Sequence, residues 1–199
     1  MAYSDFDVKK VVTDFQLELI EDQDVFAQVP ECGVSESFAH ILKQHLPLAL
    51  AMNTEKARSE LVLINIFLEL KQALRITFFS GARFDVDKEC GLTGFCDFLV
   101  SRTTEQLYIK TPVVAVVEAK NENIPGGLGQ CLAEMVALQI YNAREQSPLP
   151  AVYGAVTTGD TWKFLKLREK VAQIDVEYYY LNTPRKIFGI LTAMITGQA

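Results

Sequence analysis

One stretch, "PVVAVVEAKNE" at residues 112–122, constrains the chain most. Six of its first seven residues are apolar and four are valine. So dense a β-branched run reads as a buried strand rather than a half-solvated one. Glu118 and Lys120 close it, two positions apart and therefore on one face, ~6.6 Å apart along the strand. An acid and a base at the end of so apolar a strand need a reason, because ionised groups are costly to bury unless paired or bound to metal.

The elements around this strand follow from periodicity and punctuation. Apolar residues at Phe6, Val8, Val11, Val12, Phe15 and Leu19 recur at helical spacing, with Ser4 or Asp5 as the cap. A second helix starts at Ser35 or Ser37 and is kinked or ended by Pro47. A third begins at Asn53 or Thr54, with Leu61, Ile64 and Leu68 repeating along it. Two strands follow, within "RITFFSGARFDVD" and "LTGFCDFLVSR". The valine-rich strand is next, and then a helix that starts after Pro125-Gly126-Gly127 and stops by Pro148. A hairpin turning at Thr158-Gly159-Asp160, a strand "VEYYYLN" and a helix with Pro184 in its first turn complete the chain. Strand–helix–strand order requires some parallel pairing, so the expected fold is α/β with a mixed β-sheet flanked by helices. Within one domain of 199 residues, we expect a helical N-terminal extension (1–53), a core (54–182) and a C-terminal helix (183–199).

Charge limits the partners. The net charge of −6 comes wholly from residues 1–60, which hold 11 acids and 5 bases; the rest of the chain is balanced. Strong non-specific gripping of duplex nucleic acid normally brings a basic surplus, and this chain has none. Lys163, Lys166, Arg168 and Lys170 form the best phosphate-facing patch available. Four cysteines without a CxxC pair argue for buried, reduced thiols over zinc. His40 and His45 are five apart, too far around a helix to share a ligand face. No apolar run reaches the ~20 residues of a membrane span, and the N-terminus lacks the order of a secretory signal. The expectation is a cytoplasmic protein that does not engage membranes.

Asp97, in "GFCDFLV" on the preceding strand, completes a set of two carboxylates and one ammonium offered from apolar surroundings. Oxygen ligands of this kind suit a hard cation such as Mg²⁺ or Mn²⁺. Lys120 beside the ion could orient a water and stabilise charge on a phosphate. The pattern resembles the PD-(D/E)xK nuclease superfamily, which has the restriction-endonuclease-like fold. The resemblance rests on Asp97, the 20-residue gap to Glu118, the triplet Glu118-Ala119-Lys120, the helix after it, and the Gly-turn hairpin followed by Trp162. Cys96 stands where the motif has proline, and Glu134 follows Gln130 by four where a subset acting on DNA ends has tyrosine.

The resemblance implies that Asp97, Glu118 and the Ala119 carbonyl hold metal with help from Glu60, that Lys120 positions the water, and that Gln130 contacts the site. DNA would be the substrate. The acidic N-terminal third supports a second reading, a nuclease-like fold serving as a binding or accessory subunit that meets a protein partner or a second copy of itself.

Overall fold

The computed structural model describes all of residues 1–199. Its centre is an eight-stranded mixed sheet in the order β1-β7-β6-β5-β4-β3-β2, with β8 paired to β6. The strands are β1 (Glu18–Ile20), β2 (Thr77–Arg83), β3 (Phe95–Ser101), β4 (Val113–Ala119), β5 (Val152–Thr157), β6 (Thr161–Arg168), β7 (Val171–Ile174) and β8 (Tyr179–Tyr180). The helices are α1 (Val8–Phe15), α2 (Glu36–Met52), α3 (Glu55–Arg58), α4 (Ile64–Ala73), α5 (Ile124–Arg144) and α6 (Pro184–Thr196). None of them is long and apolar enough to cross a membrane.

β4 is buried at every one of its seven positions, as its composition requires. It pairs antiparallel with β3 and parallel with β5, and the parallel partner is reached through α5. Its side chains feed two cores. On one face Val114 and Val117 join Phe67, Phe98, Trp162 and Ile190, beneath α4 and α6. On the other, Val113 and Val116 join Leu99, Leu132 and Met135, beneath α5. Each valine so buried stabilises the fold by roughly 1.5–3 kcal/mol of transfer free energy. Asn142 ties α5 to the start of this strand: its side chain accepts from Val113 N (2.9 Å) and donates to Val113 O (2.7 Å), fully buried.

Several local expectations are corrected. α1 is capped by Asp7, not Ser4 or Asp5, and ends at Phe15; Gln16 turns into the left-handed region, and residues 18–20 form a strand parallel to β7. The N-terminal 53 residues therefore contribute to the sheet and are not a purely helical extension. Pro47 lies inside α2, which continues to Met52, so the proline does not end the helix. α3 runs through a π-turn (Ser59–Leu63) into α4. This wide turn adds a residue and rotates the packing face, so Val62, Leu63, Ile66, Phe67 and Leu70 are buried while Leu68 is 46% exposed. The residues between Ile174 and Asn182 that read as one strand form only the two-residue β8.

Candidate active site

The site lies where β4 ends and α5 begins. Asn123 caps α5 by accepting from Gly126 N (2.9 Å), so Pro125, Gly126 and Gly127 belong to the helix and not to a loop before it. Glycine in a helix interior costs ~1 kcal/mol relative to alanine, and close packing explains the residue here. A Cβ on Gly127 would lie 2.9 Å from Lys120 Cε and 2.8 Å from Val156 Cγ1. The absent side chain at Gly127 thus leaves room for the lysine stem against the helix.

β3 and β4 separate just here. Extending their register past Phe98–Val117 sets Asp97 opposite Glu118, and the Asp97 carboxylate accepts from Ala119 N (2.8 Å). Glu118 is 3% exposed and its Oε1 accepts from Lys120 Nζ (2.7 Å). The same ammonium donates to Gln130 Oε1 (3.1 Å), and Gln130 Nε2 donates to Glu134 Oε1 (3.1 Å). The second oxygens of Glu118 and of the fully buried Glu134 have no partner. A continuous polar chain, Asp97–Ala119–Glu118–Lys120–Gln130–Glu134, thus runs from the part-buried Asp97, Lys120 and Gln130 to the fully buried Glu134.

Burial sets the electrostatics. It raises Asp97 above the ordinary carboxylate range, against the Ala119 amide and the Lys120 charge. It lifts Glu118 to about 7, with Asp97's charge pushing the same way and Lys120 opposing. Glu134 is raised well above the usual range, by burial and then by Glu118. For Lys120, burial favours the neutral amine, but the charge and hydrogen bond of Glu118, helped by Glu55 and Asp97, outweigh it and hold the ammonium. Lys120 is therefore held as a donor toward Glu118 and Gln130.

Asp97, Glu118, Lys120 and Gln130 come together; Glu60 does not join them. Its side chain is 64% exposed and pairs at 3.8 Å with Lys56. The helix acid whose field reaches the cluster is Glu55, which acts on Asp97, Glu118 and Lys120 alike. Sequence reasoning missed it because both acids follow one cap. Arg58, at the end of α3, is what anchors this segment. It is 5% exposed, donates to Asn53 Oδ1 (2.8 Å) and to the Thr158 carbonyl, and fastens the start of α3 to the β5–β6 turn. The basic run of Lys163, Lys166, Arg168 and Lys170 is partly occupied within the fold. Lys163, Lys166 and Lys170 each donate to a main-chain carbonyl, of Val176, Ala199 and Phe15 respectively.

No set of three or more His, Cys, Asp or Glu side chains is arranged to hold a metal ion. The residues present nevertheless fit Mg²⁺. Two carboxylates side by side, one with an unpartnered buried oxygen, call for positive charge, and Mg²⁺ commonly takes one or two protein carboxylates and keeps its waters. No protein-family model matches the chain, and a search of curated proteins finds no match.

Proposed function

We propose that this protein is a Mg²⁺-dependent phosphodiesterase acting on DNA, built on a restriction-endonuclease-like arrangement of its mixed sheet. The observation that carries the reading is the meeting of Asp97, Glu118 and Lys120 at the ends of β3 and β4, with a buried Glu118 oxygen left free. Asp97, Glu118 and the Ala119 carbonyl would hold the ion, with Glu55 rather than Glu60 as the further acid nearby. When bound, the ion would supply Lewis-acid neutralisation of a phosphate and a more acidic water.

The chain's own groups divide the remaining work. Lys120 stays charged, so it orients a water oxygen by donation and stabilises negative charge that grows on the phosphate. Gln130 holds that ammonium from the α5 side, and its own amide is oriented by Glu134. Gly81 falls opposite Asp97 in the β2–β3 register, and no atom lies within 4 Å of where its Cβ would stand, so the approach to Asp97 from the sheet edge is open. The net charge of −6 favours one second reading, an accessory subunit whose DNA grip comes from a partner.

Binding of Mg²⁺ or Mn²⁺ tests the proposal. A hundredfold excess over Kd stabilises a folded protein by about 2.7 kcal/mol, which is a rise of roughly 5–10 °C in melting temperature for a chain of this size. Asp97→Asn should abolish the rise and leave the fold intact. A shift that survives in Asp97→Asn would put the ion elsewhere and end this assignment of the site.

A further inference from the structure

The same end of the sheet carries a second feature that the proposed chemistry does not use. β4 and β5 are parallel, so their carboxyl ends open on one edge, the usual place for ligands in such sheets. One strand beyond, a hollow of about 330 Å³ opens between the segment after Lys120 and the β6–β8 pair. Glu122, Pro125, Thr158 and Thr161 form part of its wall, and Tyr178 and Tyr180 stand at it. Both tyrosines are solvent-facing, 40% and 54% exposed, whereas Tyr179 between them turns inward and donates to Asp175 (2.9 Å). Lys163 Nζ lies 4.1 Å from the Tyr178 ring centroid, which fixes that ring from one side. β8 is short, but its pairing with Thr161 and Trp162 holds Tyr179 and Tyr180 to the sheet, and Trp162 is fully buried.

We infer that Tyr178 and Tyr180 form a stacking shelf for bases of an unpaired nucleic-acid strand, next to the acid–lysine cluster. The inference rests on the phosphodiesterase reading for the strand's presence at this edge. Two exposed aromatic rings beside a roomy hollow suit flat π faces, which every base has. The Glu122 carboxylate in the wall disfavours a phosphate there and can accept from exocyclic amines. Thr161 adds a hydroxyl able to meet a base edge, while the Thr158 hydroxyl is buried and donates to Asp160 (2.9 Å). From β4 to β8 is three strand spacings, roughly 14 Å, a span that neighbouring nucleotides of one strand can bridge. A paired duplex has its bases stacked inside and would leave the shelf empty.

The test measures binding without catalysis. A single-stranded oligodeoxynucleotide carrying 2-aminopurine is titrated in EDTA with the wild type, Tyr180→Ala, Tyr178→Ala and Tyr180→Phe; a blunt duplex and the matching RNA strand serve as further arms. Wild type should quench the probe and prefer the single strand to the duplex. Each alanine variant should weaken binding by roughly 5- to 150-fold, the range set by stacking per base, and Tyr180→Phe should restore it. Unchanged affinity in both alanine variants, equal duplex binding or no oligonucleotide binding by the wild type would overturn the shelf. Binding is read in EDTA and cleavage separately with Mg²⁺ or Mn²⁺: quenching in EDTA with no cleavage when metal is supplied leaves the shelf standing and removes the phosphodiesterase reading, and metal-dependent cleavage with indifferent tyrosine variants does the reverse.

Discussion

Replacing Glu118 with glutamine should flatten part of the protein's pH–stability curve. The Glu118 carboxyl holds its proton up to about 7 in the folded chain, against an ordinary 4.5. A raised value means that the folded state binds the proton more tightly than the unfolded state between those two pH values. Its contribution is therefore complete below about pH 4.5 and is lost as pH rises through about 7. A gap of this size is worth at most roughly 3–4 kcal/mol at ~1.4 kcal/mol per unit. Asp97 and Glu134 are raised by the same burial and add slope of the same sign, and Glu118 acts on both Glu134 and Lys120, so the difference between wild type and Glu118→Gln reads Glu118 together with its coupling to these neighbours. Urea unfolding in EDTA at half-unit steps from pH 4.5 to 8 measures it. Wild type should lose more stability than the variant across this window. Mg²⁺ should restore stability to wild type at pH 8, because the ion favours the ionised carboxylate. Parallel curves for the two proteins, or wild-type stability that rises relative to the variant, would refute the assignment of a raised, buried Glu118.

Other substitutions probe the scaffold and the choice of acids. Asn142→Leu should destabilise by roughly 2–5 kcal/mol, since it strands both the N–H and the C=O of Val113 in the core; chemical unfolding would show it as a lower midpoint. Glu55→Gln should weaken Mg²⁺ binding several-fold in isothermal titration, whereas Glu60→Gln, which removes only an exposed pair with Lys56, should leave it unchanged.

How legible all this was in the sequence depended on whether local pattern or long-range geometry decided each feature. β4 announced itself by its dense valine run, which suits a strand buried on both faces, and its Glu-x-Lys end stood out against that background. The β5–β6 turn was equally plain: Gly159 takes a positive φ of 87°, and Trp162 Nε1 donates back to its carbonyl (3.2 Å). β1 stayed hidden. Three residues carry too little pattern, and their partner β7 lies some 150 positions away. The start of α5 was misplaced because Pro and Gly are ordinarily breakers, while here Gly127 makes space for Lys120, a contact visible only in three dimensions. Glu55 and Glu60 follow one cap, and only the folded arrangement shows that Glu55 acts on the cluster while Glu60 pairs with Lys56 at the surface. The β6 lysines looked like a phosphate patch, yet nearby carbonyls take up three of them.

Metal-dependent nicking of single-stranded, duplex and branched DNA by wild type and Lys120→Ala, with affinity followed in parallel, bears most directly on the proposed activity. Wild type should cleave at least one of the three with Mg²⁺ or Mn²⁺ and none in EDTA. Lys120→Ala should be slower by about 10²–10³, the value of one donor that stabilises transition-state charge, with DNA affinity little changed. Failure of purified wild type to cut any of the three, or a Lys120→Ala defect confined to affinity with a salt slope reduced by about one counterion, would contradict a catalytic role for Asp97, Glu118 and Lys120.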